Sequence, residues 1–395
     1  MEKKDAVLIV FFAAIIGMIL GYYLAIWLYM PNYCVNSNKA IRSADNSIIK
    51  YLTECGGVAD IIDGVIAPEQ DDTQNKQISF AFIGDILLGS SVGDVIKAKG
   101  EDYIFKDVNA IFKETDFVVG NLECAISDRG SPEQNKEFVF RAAPYTAKII
   151  ADAGIDAVSL ANNHVLDFGL DALNDTFEHL ESNDVKYAGA GCDAESASKP
   201  VYAEVKGVKI AFVASSHVIP FVSWTAGVNK PGVASTYNPA VICNEISNAD
   251  KNADIVIAYL HWGMERYDIA ELYQRNLAKK FIDCGADIVV GSHPHVVQGL
   301  EFYKHGVIVY SLGNFVFTNT KKDTMIVKVT FDEQQENKRV EVIPCEIINF
   351  APNVMKDEKT VKAFIDSLNN ISYNVSIDEK GAAVNSNKNT KEMGE

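Results

Sequence analysis

Along residues 78 to 295, short apolar runs keep ending on side chains that can hold a cation. Asp85 follows Ile78-Ser-Phe-Ala-Phe-Ile-Gly84, and Glu123 follows Phe117-Val-Val119. Asn163 and His164 follow Ala157-Val-Ser-Leu160, and His261 follows Ile255-Val-Ile-Ala-Tyr-Leu260. His293 and His295 follow Asp287-Ile-Val-Val290. Apolar runs of this length, bounded by turn residues, read as buried strands, and helical patterns alternate with them. The clearest helix is predicted over Ile269 to Asp283, with Gly285 placed to end it. Alternating strands and helices imply an α/β fold, in which the loops after the strands open on one edge. Residues far apart in sequence then converge there.

One local pattern occurs twice. Asp152-Ala-Gly-Ile-Asp-Ala-Val-Ser-Leu-Ala-Asn-Asn-His164 parallels Asp283-Cys-Gly-Ala-Asp-Ile-Val-Val-Gly-Ser-His-Pro-His295. Each runs from a helix end through glycine and a short strand to a polar ligand. Nothing else recurs at that spacing, so the pair reads as one local solution used twice and not as a solenoid. Val307 to Asn314 forms a further buried strand with a polar turn, and Thr324 to Glu346 reads as two strands around a turn at Asp332 to Lys338. Residues 351–395 are expected to hold a helix and then a disordered tail, since 380–395 offer little to bury.

The N-terminus carries a separate signal. Ala6 to Met30 contain no charge, enough for a helix to cross a hydrocarbon core of roughly 30 Å. Tyr22, Tyr23, Trp27 and Tyr29 sit where an interfacial aromatic belt belongs, and no small-residue cleavage site precedes them. We expect an uncleaved signal anchor at 6–30. Lys3 and Lys4 keep residues 1–5 cytoplasmic, a juxtamembrane stalk follows at 31–76, and a globular domain at 77–350 lies outside the cell. Ala13, Gly17, Gly21 and Ala25 form a small-residue stripe that suits a helix partner, although such residues are common in membrane helices generally.

The net charge is −17, and the charges at Glu2, Lys3, Lys4 and Asp5 cancel, so the excess belongs to the exterior part. Such a surface repels nucleic acid, and no nucleic-acid partner is expected. An anionic substrate must be caught locally, by a metal or by a few basic groups. The seven cysteines show no CxxC spacing. Cys34 and Cys55 flank the stalk and can pair, whereas Cys192, Cys243, Cys284 and Cys345 read as scattered core residues.

Mixed imidazole, carboxylate and amide ligands suit Mn, Zn or Fe at one or two centres. Plainer readings stand beside this one. His261 alone reads as a core histidine, Asp85 as a helix cap, and His164 as a partner of Asp167. Arg141 closes the apolar run at Phe138 to Phe140 and reads equally as an anion clamp or a surface residue. His217 is placed at the rim, and His179 and His305 in solvent.

Gly84-Asp85, Gly120-Asn-Leu-Glu123, Ala161-Asn-Asn-His-Val-Leu-Asp167, His261-Trp-Gly263, Gly291-Ser-His-Pro-His295 and Ser311-Leu-Gly-Asn-Phe315 together resemble the bacterial poly-γ-glutamate capsule-synthesis proteins of the CapA/PgsA type. The resemblance spans roughly residues 78 to 350. That family is similar in fold to calcineurin-like metallophosphoesterases, which implies a two-sheet sandwich flanked by helices. It implies Asp85 and His295 on one metal, and Asn163, His261 and His293 on a second. Glu123 stands where a bridging Asp is usual, and His164 where a histidine protonates the leaving group. Asn121, Asn314 and Arg141 are candidate substrate contacts. One departure stands out. The position two residues after Asp85, ordinarily a His ligand, is Leu87, which implies a first metal site short of one ligand.

Three functions follow as expectations. The first is a membrane-anchored extracellular component of poly-γ-glutamate capsule biosynthesis or export. Its partners would be an integral-membrane synthetase or a second copy through the membrane helix, and the anionic polymer. The second is an active extracellular metallohydrolase of phosphoesters or amides. The third is a non-catalytic polymer-binding scaffold.

Overall fold

The computed structural model describes residues 77–318, 323–335 and 337–387. The expected cytoplasmic end, membrane anchor and stalk lie outside the described residues.

Among the described residues two sheets form the frame. The larger has ten strands. Its order is β19 (Val375–Ile377), β20 (Ala382–Asn385), β17 (Lys338–Ile348), β16 (Asp323–Phe331), β1 (Ile78–Ile86), β2 (Phe117–Leu122), β5 (Ala157–Ser159) and β6 (Lys186–Ala188). In addition β15 (Asn314–Val316) pairs with β1, and β18 (Ala351–Val354) with β17. The smaller sheet runs β13 (Val297–Tyr303), β14 (Gly306–Leu312), β12 (Ile288–Ser292), β11 (Ile255–His261), β9 (Val208–Ser216) and β8 (Val201–Val205). Two short pairs complete the strands, β3 (Ala125–Ile126) with β4 (Arg141–Ala142) and β7 (Ala190–Gly191) with β10 (Gly232–Val233).

The inner strands of each sheet, β1-β2-β5-β6 and β9-β11-β12-β14, are parallel. Their carboxyl ends therefore share an edge. Side-chain alternation then sorts each strand between two cores. On β11, Ile255, Ile257 and Tyr259 pack into the core that also holds Phe80, Phe82 and Ile83 of the larger sheet. Val256, Ala258 and Leu260 pack outward with Ile242, Ile246, Ala278, Phe281 and Ile282, which belong to the helices Pro239–Asp250 and Leu272–Asp283. The next inward position after Tyr259 is His261.

The two copies of the repeated pattern occupy opposite sheets. The helix Thr146–Ala153 leads into β5 of the larger, and the helix Leu272–Asp283 leads into β12 of the smaller. They deliver their ligands toward one another.

Two expectations need correction. The C-terminal region does not end in a disordered tail at 380: β20 hydrogen-bonds to β17 and β19 within the larger sheet. Ile377 and Ala383 are buried there. A few apolar residues suffice because a preformed sheet edge supplies the backbone partners. Cys243 and Cys284, read as scattered core residues with their pairing left open, form a disulfide with Cα atoms 5.5 Å apart. They lie 41 residues apart, and only the side-by-side packing of their two helices brings them together. Cys192 is disulfide-bonded as well, while Cys124 and Cys345 are buried thiols.

Candidate metal centre

Strand register builds the site. In the larger sheet Asp85 pairs with Asn121 on one side and Asn314 on the other. In the smaller sheet His261 pairs with Ser216 and Ser292. Each sheet thus presents a row of three polar residues at the shared edge. Gly84 permits the first row, since a Cβ there would overlap the Gly313 carbonyl.

The asparagines orient the ligands. Asn121 Nδ2 donates to Asp85 Oδ1 at 2.9 Å and to Glu123 Oε2 at 3.2 Å. Its own Oδ1 accepts from Asn162 Nδ2 at 3.1 Å. Asn314 Oδ1 lies 2.8 Å from His295 Nδ1, and Asp85 Oδ2 is 3.3 Å from the same nitrogen. Asn163 Oδ1 lies 2.9 Å from His261 Nε2, and Ser292 Oγ is 3.0 Å from His261 Nδ1. Nearly all these groups are buried.

At the centre stands Glu123 Oε1. It lies 3.7 Å from His295 Nε2, and 4.0 Å from both His164 Nε2 and His261 Nε2. None of these is a hydrogen bond, and Glu123 Oε1, Asp85 Oδ2 and His293 Nδ1 are buried without a hydrogen-bond partner. Buried polar atoms are almost always satisfied. Three orphans around one point, all metal-ligating types, fit a cation. Glu123, His293 and His295 offer atoms within 4.8 Å of one another, as do Asp85, Glu123 and His261. Glu123 belongs to both sets.

Backbone and electrostatics agree. His293 and His295 both adopt positive φ, +94° and +58°, which costs about 1–3 kcal/mol each and clusters at functional sites. Burial pushes His261 well below its usual pKa, and the neighbouring imidazoles add to this. Burial and His295 take His293 down to about 3. Burial and then the Asp85 charge hold the Glu123 carboxyl well above its usual range. Neutral imidazoles are the ligating form, and a bound cation would reverse the effect on the carboxylate.

His164 approaches from the larger sheet. Its Nδ1 lies 2.7 Å from Asp167 Oδ2, and its ring packs 4.4 Å from the Phe140 ring. Burial lowers its pKa against the pull of Asp167.

Not every candidate joins. Arg141 lies away from the cluster: its guanidinium donates to the Arg129 carbonyl at 2.7 Å and stacks 4.3 Å from the Phe168 ring. Asn121 and Asn314 are buried beside the ligands: Asn121 donates to Asp85 and Glu123, and Asn314 Oδ1 lies against His295 Nδ1. Leu87 is buried in the apolar core. His217 sits at the rim between Tyr237 and Tyr273. Three site residues escaped the sequence reading, namely Asn162, Lys136 and Ser292. Asn162 Oδ1 accepts from the backbone N–H of His164 and Val165 at 3.0 Å, and its place in Asn-Asn-His was the available signal. Lys136 stood in a polar stretch with no signal at all.

Residues 79–319 match the profile of a family described as bacterial capsule synthesis protein PGA_cap. The chain belongs to that family. It is 36% identical over 308 residues to the PGA biosynthesis protein CapA of Bacillus subtilis, covering 76% of this chain and 80% of that one. It is 34% identical over 264 residues to the capsule biosynthesis protein CapA of Bacillus anthracis, covering 64% of each. Among solved structures, a 5'-nucleotidase from Candida albicans superposes with a TM-score of 0.38 at 15% identity, over 69% of this chain and 52% of that one. The matched residues take in every residue of the cluster, from Asp85 to Asn314.

Proposed function

We propose that this chain is a membrane-anchored, extracellular component of poly-γ-glutamate capsule biosynthesis or export, working through a metal-holding cleft at the strand edge. The observation that carries the cleft is Glu123 Oε1, buried without a hydrogen bond amid three imidazoles. The names of the Bacillus relatives support the capsule role. The uncharged stretch Ala6–Met30 supports the anchor, and the Cys243–Cys284 disulfide supports an oxidising, exterior compartment. Partners on this reading are synthetase subunits in the membrane, or a second copy, and the anionic polymer.

Asp85, Glu123, Asn163, His261, His293 and His295 would hold one or two divalent cations, Mn, Zn or Fe. When bound, such a cation supplies Lewis acidity and neutralises developing negative charge. Asn121, Asn314 and Ser292 keep the ligands aimed. Replacing the chain in a capsule-forming strain with a Glu123→Gln, His293→Ala form should abolish cell-bound polymer while the protein stays in the membrane. Undiminished polymer would refute the role of the cleft.

A second reading, hydrolysis of a phosphoester or amide, is favoured by one observation. His164 is gripped at Nδ1 by Asp167 and turns Nε2 toward the cluster, the arrangement of an oriented acid–base group. Metal analysis of the purified chain should be paired with turnover assays on phosphodiesters and γ-glutamyl oligomers. Metal with turnover supports hydrolysis, metal without turnover supports the capsule component alone, and no metal leaves a scaffold. If turnover occurs, His164→Gln should lower it about 10²-fold with metal content unchanged.

A further inference from the structure

Lys136 comes from a segment whose neighbours are mostly exposed, yet its own side chain is 12% exposed. Its Nζ lies 2.5 Å from the Asn163 carbonyl, 2.5 Å from Asp167 Oδ1 and 2.8 Å from His164 Nδ1. The Trp224 ring covers it at 5.4 Å. An ammonium has three hydrogens and no lone pair. Three partners therefore fit only if all three accept.

Asp167 competes for the same nitrogen, with Oδ2 at 2.7 Å from Nδ1. That oxygen already accepts from the Phe140 backbone N–H at 2.7 Å. A hydrogen on Nδ1 would leave one ammonium hydrogen without an acceptor in a dry place. A hydrogen on Nε2 gives all three ammonium hydrogens an acceptor and leaves one conflict, the approach of Asp167 Oδ2 to a lone pair. That conflict is the milder one, because Asp167 keeps the ammonium at Oδ1 and the Phe140 N–H at Oδ2, whereas a buried cationic donor without an acceptor loses a charge-assisted bond outright.

We infer that Lys136 is a positioning residue that sets the tautomer of His164: its ammonium donates to Nδ1, so the neutral ring carries its proton on Nε2, facing the ligand cluster. An ordinary His–Asp pair would place the proton on Nδ1, leaving the ring unable to donate toward the cluster unless doubly protonated. With Lys136 in place the neutral ring is already a donor. The tautomer follows from the hydrogen-bond geometry alone. Its use in proton delivery rests on the hydrolytic reading.

The test is histidine imidazole NMR on the full chain in detergent, labelled with 15N and 13C, as purified and after zinc loading. His164 is assigned by the signal lost in His164→Gln. The expected result is an Nε2–H ring in both states. Lys136→Met should shift the ring to Nδ1–H, paired with Asp167, and Lys136→Arg should restore Nε2–H. An Nδ1–H ring in the unsubstituted chain, or no change in Lys136→Met, overturns the inference. Should Lys136→Met fail to fold, the unsubstituted spectrum decides alone. An Nε2–H ring without turnover leaves the inference standing and removes the hydrolytic reading, and turnover with an Nδ1–H ring does the reverse.

Discussion

The hydroxyl of Tyr259 donates to the carbonyl of Ile83 at 2.7 Å, across the boundary between the two sheets. Both residues are fully buried. Ile83 lies two residues before Asp85, and Tyr259 two residues before His261. Burial raises the phenol well above its usual pKa, so it remains a neutral donor. One hydrogen bond thereby ties together two strand ends that carry ligands from different sheets.

Tyr259→Phe removes that donor while keeping the ring. The variant should lose about 1–3 kcal/mol in urea unfolding, the usual effect of stripping a buried carbonyl of its partner. Because the lost bond aligns the ligands, zinc affinity should fall roughly 10-fold or more. Titration calorimetry with zinc checks this, and an affinity equal to that of the unsubstituted chain would show that the two sheets are held in register by other contacts.

Glu123→Gln separates metal binding from folding. The carboxyl is held well above its usual range by burial and Asp85. A carboxylic acid raised in the folded state contributes stability below its unfolded pKa, about 4, and loses it as pH rises. In chelator-treated protein at pH 7, the variant should therefore melt at the same temperature or higher. The upward shift on adding zinc or manganese should vanish. A metal-induced shift of full size in the variant would remove Glu123 from the site.

Asp175 offers a pH test remote from the metal. Arg129 pairs with its carboxylate, and Ser127 Oγ donates to it at 2.5 Å. The Arg129 hydrogen bond leads in lowering its pKa. A lowered acid contributes stability above its unfolded pKa, about 4, and loses it as pH falls through the folded value. Asp175→Asn should therefore be less stable than the unsubstituted chain at pH 7, and the gap should close below pH 4. A gap that persists unchanged at pH 2 to 3 would mean the ion pair contributes nothing.

The disulfide closes a separation of 41 residues. In the chain-entropy treatment this confers about 4 kcal/mol. Cys243→Ser with Cys284→Ser should lower stability by roughly that amount, and mild reduction of the unsubstituted chain should partly reproduce it. Chemical unfolding with and without reductant measures both, and the serine variant itself should no longer respond to reduction through this pair.

Much of the frame was legible because strand burial writes itself as short apolar runs. Those runs and the helix before Gly285 announced a parallel α/β core, and the residues at the run ends are the ones the structure gathers around Glu123. The repeated helix–glycine–strand–ligand pattern was visible too, but not that its copies sit in opposite sheets. Arg141 shows where the sequence leaves two readings open. A basic residue after an apolar run reads equally as an anion clamp or a surface group, and pairing of β4 with β3 sets this one over the Arg129 carbonyl and Phe168.

The sequence by itself determined which residues end the strands, the chemical kind of those ends, and the family to which the chain belongs. These depend on local period and local order, and both survive in one dimension. Register, the face each residue takes and the approach of distant loops depend on how two sheets pack, and only the tertiary structure decided them. The pairing of Cys243 with Cys284, the sheet strand at 382–385 and the three contacts of Lys136 all belong to that second class. Lys136 is the clearest case, because nothing near it in sequence distinguishes it from a solvated lysine. Its importance arises from His164, Asn163 and Asp167, which the fold brings to it from some thirty residues away.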